Sequence, residues 1–261
     1  MVRVNPCLKG LSQMIDEKIF KNRITELAER AYVSSRYTYT DFLGLYELDI
    51  LSRMKREVVY AGLSLFGGAD DCERVVARFG NAAVDEPFPI ACVKAEPLQQ
   101  KFADRLTHRD ALGAILNLGI ERDTIGDIYI SENIIYFFCL KNVLPVILND
   151  LKTVKRTTIR CSEIECLPEG VGTAIGEEMI QISSERADVI VAAAYRFSRE
   201  ESLSLFREKK VFIDGRICEN NSETLTPGCV VSVRGHGRFR YLGYNSLSRK
   251  GKLNAHIARW L

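Results

Sequence analysis

The residues best suited to chemistry form a run of positive charge at the C-terminal end of the chain. Between Val231 and Leu261 there is no Asp or Glu, and seven residues are basic: Arg234, Arg238, Arg240, Arg249, Lys250, Lys252 and Arg259. A surface that only needs solubility mixes both signs of charge, so this run predicts a polyanionic partner. A basic strand pair that merely faces solvent is the alternative.

Aromatic residues and a histidine lie between these arginines, in the stretch RGHGRFRYLGYN. Arginines contact phosphates, and aromatic rings stack on unpaired bases. We therefore predict that nucleic acid is the polyanion. The side chains predicted to stack are His236, Phe239, Tyr241 and Tyr244.

The composition of the whole chain hides this asymmetry. The 261 residues include 36 Lys and Arg against 34 Asp and Glu, a net charge of +2, so the first 230 residues carry a net charge of −5. The length suggests two or three domains. The sequence contains no apolar run long enough to span a bilayer, and charged residues interrupt the N-terminal stretch where a secretory signal would need its apolar core. We expect a cytoplasmic protein.

The other residues that could do chemistry argue against an enzyme, a metal site or a bound cofactor. The eight cysteines stand singly apart from Cys161 and Cys166, which lack a second Cys or His pair, so we expect buried, reduced thiols and no metal. The triplet at 108–110 reads His-Arg-Asp, but Ile115 replaces the Asn that a kinase loop requires. We predict no catalytic residues and no cofactor.

Periodicity divides the rest of the chain into segments. Residues 1–80 are predicted to form a small, mostly helical domain, with helices over 10–31, after Asp41 and over 70–80. Residues 81–170 alternate strands and helices in the order βαββαβ, with a long helix from Leu98 to Leu118, which predicts a ferredoxin-like domain. Its strand 134–140 is too apolar for base stacking and is predicted core.

The glycine-rich stretch 170–176 is read as part of a linker over 171–181, because a dinucleotide loop would need a buried strand before it. In residues 182–261 we predict two helices on a small twisted sheet. Ser183 or Ser184 would cap the first helix, and Ser198 with Glu201 forms a capping box for the second. Asp214-Gly215 predicts a hairpin turn. The fold class is therefore α+β.

The order of these motifs resembles the S4 RNA-binding domain, which is named after a small-subunit ribosomal protein. The matching elements are Arg186-x-Asp188, Ser198-Arg199, Lys209-Lys210-Val211, Asp214-Gly215 and Pro227-Gly228. Stretches at 41–51, 67–74, 106–130 and 233–241 extend the resemblance to the YlmH-like S4-domain proteins of bacteria. The resemblance implies an N-terminal domain, a central domain similar to an RNA-recognition motif and a C-terminal S4 domain that binds structured RNA.

The predicted RNA-binding residues combine this resemblance with the basic run: Arg186, Ser198, Arg199, Lys209, Lys210, Arg234, Arg238, Arg240, Arg249, Lys250 and Lys252. Arg186 and Arg199 stand at helix N-termini, where free backbone N–H groups also attract phosphate. Arg199 as a plain surface residue is the alternative. Lys209 and Lys210 could equally complement the dipole of the helix they follow. Seven neutralised phosphates would give a log–log salt slope of about −5 to −6.

The resemblance implies a non-catalytic factor in ribosome-associated quality control of stalled nascent chains. Its expected partners are ribosomal RNA of the large subunit and tRNA, and we expect a monomer. One alternative is an RNA-modifying enzyme, of the pseudouridine synthase or methyltransferase type, that is guided by its S4 domain. Its expected catalytic signatures do not occur in the sequence. Another alternative is an adaptor linked to cell division, which would need a large apolar surface patch.

Overall fold

A computed structural model describes residues 6–70, 72–81, 85–172, 175–249 and 251–260. It confirms an α+β protein and divides the chain into two compact units, residues 1–172 and residues 173–261. Among the helices that the structure describes, none combines the length and the apolar character needed to cross a membrane.

The N-terminal part of the first unit packs two helices on a three-stranded antiparallel sheet. Its elements are α1 (Pro6–Ser34), β1 (Thr38–Leu43), α2 (Leu45–Val58), β2 (Leu63–Phe66) and β3 (Val75–Phe79). The sheet order is β1-β3-β2. Ile24 of α1 and Ile50 of α2 are fully buried against Phe79 of β3. The two long predicted helices are therefore present and, with 29 and 14 residues, they make up more than half of residues 1–80. The three-stranded sheet beside them was not predicted.

The short helix predicted over 70–80 is wrong, because its second half forms the central strand β3. Alternate residues of this strand are buried on opposite faces of the sheet. Ala77 and Phe79 face the two helices, whereas Val76 joins a second apolar cluster with Phe42. A strand buried on both faces lacks the alternation of polar and apolar residues that would have identified it.

The rest of the first unit is a five-stranded antiparallel sheet with two helices. Its elements are β4 (Ile90–Pro97), α3 (His108–Leu116), β5 (Ile125–Ser131), β6 (Ile134–Leu140), α4 (Leu144–Asp150), β7 (Thr153–Val154) and β8 (Thr157–Ile164). The sheet order β5-β6-β4-β8-β7 confirms the ferredoxin-like arrangement.

The long helix predicted from Leu98 to Leu118 is shorter in the structure. It begins only after Thr107, whose hydroxyl accepts a hydrogen bond from the backbone N–H of Asp110 while the Asp110 carboxylate accepts one from the Thr107 N–H. This capping box fixes the helix start. The preceding residues form a single 3-10 turn, Gln100–Phe102, and Leu98 and Phe102 are exposed.

The two faces of the central sheet are covered by different partners. Val93 and Phe137 face α3 and α4, whereas Tyr136 and Phe138 of the opposite face pack in one cluster with Phe42 and Val76 of the N-terminal sheet. Contact on this side is close, because a Cβ on Gly126 would lie 2.8 Å from the Phe42 ring. The prediction that strand 134–140 belongs to the core is confirmed.

The second unit is a six-stranded antiparallel sheet with two helices on one face. Its elements are β9 (Ile175–Ile182), α5 (Ala187–Tyr195), α6 (Arg199–Arg207), β10 (Val211–Ile213), β11 (Arg216–Ile217), β12 (Val230–Val233), β13 (Gly237–Leu247) and β14 (Leu253–Trp260). The sheet order is β11-β10-β12-β13-β14-β9. Ile190 of α5 and Phe206 of α6 share one buried cluster with Phe239 and Tyr241 of β13.

The linker predicted over 171–181 is wrong for its second half. Residues 175–182 form β9, which pairs along its whole length with the last strand, β14. Ile180 and Ile182 are buried in the core of the second unit. The glycines and the position between two predicted domains suggest a linker in the sequence, but pairing with residues 71 to 85 positions later makes this segment a strand.

Candidate nucleic-acid interface

A groove lies between the N-terminal ends of α5 and α6. It has a volume of about 390 Å³ and is lined by Ser183, Ser184, Arg186, Asp188 and Arg199, among others. The structure therefore brings together two predicted binding arginines, Arg186 and Arg199. Backbone N–H groups at two helix starts add positive potential there, which suits an anionic group such as a phosphate.

The start of α6 is fixed by the predicted capping box, which is confirmed. The Ser198 Oγ accepts a hydrogen bond from the Glu201 N–H at 3.2 Å, and the Ser198 N–H donates to the Glu201 carboxylate at 2.7 Å. The backbone hydrogen bond from Ser198 holds the pKa of Glu201 below its ordinary value. Arg199 is the first residue of the helix and is exposed, and within the described parts of the chain its side chain has no ion-pair partner.

The start of α5 is built differently from the prediction. Neither Ser183 nor Ser184 caps it; Arg186 occupies the N-cap position, without a capping side-chain hydrogen bond. Instead, the Arg186 guanidinium donates two hydrogen bonds to the Asp188 carboxylate, at 3.0 and 2.8 Å. One edge of Arg186 therefore serves the fold, while its side chain remains 39% exposed towards the groove.

Asp188 is the buried centre of this corner. Its carboxylate also accepts hydrogen bonds from the Asn221 side chain at 3.0 Å and from the Val189 N–H at 3.0 Å. Burial alone would raise the pKa of Asp188, but the hydrogen bonds from Arg186 and Asn221 outweigh it, so the pKa lies below its ordinary value. The carboxylate stays charged and keeps Arg186 in place at the mouth of the groove.

Lys209 and Lys210 follow α6 and are both paired with glutamates. Lys209 Nζ lies 2.6 Å from Glu219, and Lys210 Nζ lies 2.6 Å from Glu208. These pairs are about half exposed, and exposed ion pairs contribute little to stability, so a polyanion could displace either glutamate. The backbone N–H of Arg234 donates to the Lys210 carbonyl at 2.9 Å, which places that arginine beside them.

Arg238 and Arg240 lie on the face of the sheet that is turned away from the helices. They alternate along β13 with Phe239 and Tyr241, which are fully buried on the helix side. The prediction that Phe239 and Tyr241 stack on bases is therefore wrong, because strand alternation puts them in the core. His236 packs edge-on against Phe197 with ring centroids 4.9 Å apart, and Tyr244 is half exposed.

Trp260, which the sequence analysis did not single out, completes this outer face. The Arg238 and Arg240 guanidinium carbons lie 5.0 and 5.7 Å from the centre of its ring, and Arg234 lies 5.4 Å from the ring of Phe212. The attraction between each guanidinium and the ring beneath it keeps these arginines in place on the outer face of the sheet. The only sequence signal was that the single tryptophan of the chain lies within the basic run.

The remaining basic residues do not join either surface. Arg249 and Lys252 are exposed at the tip of the β13–β14 hairpin, roughly 30 Å along the strand from Arg238. Lys250, also predicted to bind, lies outside the described residues. Arg259 points to the helix side, where it donates to the Ala194 carbonyl and to Glu178 at 3.1 Å.

The cysteines and acids give no sign of a metal site in the described ranges, where no cluster of three or more His, Cys, Asp or Glu could hold an ion. Most of the cysteines are buried or half-buried, and burial raises the pKa of Cys92, Cys139, Cys218 and Cys229 to about 12. Cys166 is exposed, contrary to the expectation for the group.

Comparison with known proteins gives three matches. Residues 85–167 match a family model described as "Putative RNA-binding domain in YlmH". The chain is 26% identical, over 243 residues, to "Ribosome-associated protein quality control protein P2" of Bacillus subtilis, covering 91% of this chain and 93% of that protein. A solved structure, "Cell division protein ylmH from Streptococcus pneumoniae", aligns with a TM-score of 0.46 and 22% identity over 57% of this chain and 92% of that one.

Proposed function

The resemblance of this chain to the YlmH-like proteins is confirmed, and on that premise we propose that it is a non-catalytic RNA-binding protein that associates with the ribosome. The observation that carries the proposal is the groove at the N-terminal ends of α5 and α6. Two arginines and two helix starts converge there within one unit. This arrangement suits phosphate groups.

The finer part of the proposal concerns the RNA and the process. We assign the C-terminal unit to the S4 type, with ribosomal RNA of the large subunit as its ligand and tRNA as a further partner. The role would be in ribosome-associated quality control, as in the name of the B. subtilis relative, and in the cytoplasm. The chain would act as a monomer, without a cofactor.

The basic residues would divide between two RNA contacts. Arg186, Ser198 and Arg199 form the groove contact, with Lys209 and Lys210 following at the end of α6. Arg234, Arg238 and Arg240 form a contact on the outer face, where their stacking on Phe212 and Trp260 holds them in position. Arg249 and Lys252 would extend the positive potential at the hairpin tip, and Lys250, between them in the sequence, is also proposed to bind RNA. Such contacts are made to phosphates and carry no sequence readout.

The test is filter binding of purified large-subunit ribosomal RNA to the full chain and to the variants Arg199→Glu and Arg30→Glu. Arg30 is the matched control, because it is an exposed arginine on α1 that belongs to neither proposed RNA contact. We expect Arg199→Glu to weaken binding at least about tenfold, since charge-assisted hydrogen bonds are lost. A glutamate at a helix N-terminus favours the helix, so unfolding would not explain this loss. Equal losses for the two variants would contradict the groove assignment.

A further inference from the structure

The central domain resembles an RNA-binding domain, yet the sheet face that such folds use for base stacking is covered. In RNA-recognition motifs, aromatic rings on the open sheet face stack on bases. Here the corresponding rings of β6, Tyr136 and Phe138, are buried beneath the N-terminal sheet. The open remainder of that face carries Lys94 and Arg160, which are both paired with Glu96, at 2.6 and 2.8 Å.

Positive charge is concentrated instead on the segment that leads into the first turn of α3 and on the β7–β8 hairpin. Residues 98–110 and 152–159 together contain six Lys and Arg against two Asp. We propose that one surface formed by these two segments binds structured RNA independently of the C-terminal unit. We call it the β7–β8 surface, and it comprises Lys101, Phe102, Arg105, Arg109, Lys152 and Arg156. This inference rests on the proposed RNA-binding function.

Direct contacts join the two segments into one surface. Lys155, in the β7–β8 turn, lies 2.8 Å from the Asp110 carboxylate and donates to the Arg105 carbonyl at 3.0 Å. The backbone N–H of Arg156 donates to the Asp104 carboxylate at 3.3 Å. The two acids of these segments are therefore engaged in holding the surface together, and Lys101, Arg105, Arg109, Lys152 and Arg156 are exposed.

Two concave sites shape this surface. One, of about 280 Å³, is lined by Leu98, Phe102, Arg156 and Thr157. The other, of about 520 Å³, is lined by Arg109, Lys152 and Lys155 and also by two acids, Asp110 and Asp150. Three cations against two carboxylates leave a net charge of +1 among its lining side chains.

Phe102 gives the surface its second kind of contact. Its side chain is 78% exposed and its neighbour Leu98 is 58% exposed, so both apolar groups face solvent beside the cations. Lys101 Nζ lies 5.7 Å from the centre of the Phe102 ring. An exposed ring among cations is the arrangement that holds an unpaired base and its flanking phosphates. RNA with loops or bulges therefore fits this surface better than an acidic protein, which would not need the ring.

The experiment compares variants of the full chain in filter binding to large-subunit ribosomal RNA and, separately, to bulk tRNA. The test variant carries Lys101→Gln, Arg105→Gln, Arg109→Gln and Arg156→Gln. The control removes the same charge from exposed positions on α1 and α2, by Lys18→Gln, Arg30→Gln, Lys55→Gln and Arg56→Gln. We expect the test variant to flatten the log–log salt slope by about 3 with at least one RNA, and the control to leave it unchanged.

A single substitution separates stacking from charge. Because Phe102 is exposed, Phe102→Ala should leave stability unchanged while it weakens binding at least about fivefold at every salt concentration. Unchanged slopes and affinities for both test variants, with both RNAs, would overturn the inference. If Arg199→Glu still weakens binding in the same assay, the proposed RNA-binding function stands even though the inference about the β7–β8 surface fails. If the unmodified chain binds neither RNA, both proposals fail.

Discussion

Arg186 in the C-terminal unit both stabilises the fold and faces the candidate binding groove, and the sequence alone does not distinguish these two roles. The motif Arg186-x-Asp188 suggests an exposed binding arginine, but the structure uses two of its N–H groups to hold a buried carboxylate. The motif was recognisable because its residues are close in the sequence. The partner Asn221 was not, because it lies 33 positions away and only the fold brings it to Asp188.

Removing this arginine should destabilise the unit. Arg186→Ala leaves the buried Asp188 carboxylate with fewer hydrogen bonds, so we expect the free energy of unfolding to fall by about 1–3 kcal/mol at pH 7. The change is measured by urea denaturation followed through the fluorescence of Trp260, the single tryptophan of the chain. Lys209→Ala, which removes an exposed ion pair, is the control and should cost less than about 1 kcal/mol.

The same experiment has a predicted pH dependence. The folded pKa of Asp188 is lower than its ordinary value, so its contribution is present above about pH 4, the unfolded pKa, and is lost as the pH falls through the folded pKa. The difference between the unmodified chain and Arg186→Ala should therefore narrow as the pH is lowered below about 4. A difference that stays constant to pH 2 would contradict this role for the carboxylate.

At the scale of elements, the reciprocal capping box and the hairpin turn were predicted correctly, whereas the cap at Ser183 or Ser184, the helix start at Leu98 and the strands paired over long range were not. The Ser198 capping box and the Asp214-Gly215 turn are fixed by neighbouring residues, and in the turn both residues have positive φ, 46° and 79°. Strands β3 and β9 escaped prediction for a shared reason: each acquires its structure from partners distant in the chain. Along β13, alternate residues face opposite sides of the sheet. Phe239 and Tyr241 are buried because α5 and α6 pack on their side, which the sequence of the strand alone does not show.

Strand β9 offers a direct test of the correction at 175–182. Ile180 is buried in the core of the second unit, so we expect Ile180→Ala to lower the free energy of unfolding by about 2–4 kcal/mol. Met179→Ala is the control, because the adjacent side chain is 60% exposed and should cost under about 0.5 kcal/mol. Trp260 fluorescence reports the transition from the paired strand β14. If both substitutions lower the free energy of unfolding by the same small amount, residues 175–182 are a linker and not a buried strand.

At the scale of the whole molecule, the charge asymmetry was visible in the sequence, but its division between surfaces was not. Seven basic residues in one run suggested one continuous patch. The structure assigns Arg238 and Arg240 to the outer face and Arg259 to the helix side, while Arg249 and Lys252 lie at the hairpin tip. The groove with Arg186 and Arg199 is a separate feature. The salt slope expected from a single patch of seven cations therefore applies only if the RNA reaches several of these surfaces together.

Sedimentation of the full chain with salt-washed large ribosomal subunits, across a salt series, tests the central claim most directly. The account predicts that the chain pellets with the subunit at low salt and is released progressively as salt increases, because phosphate contacts release counterions. It also predicts that the triple variant Arg199→Glu, Arg238→Glu and Arg240→Glu stays in the supernatant at salt concentrations where the unmodified chain still binds. Absence of the unmodified chain from the large subunit at the lowest salt would contradict the account.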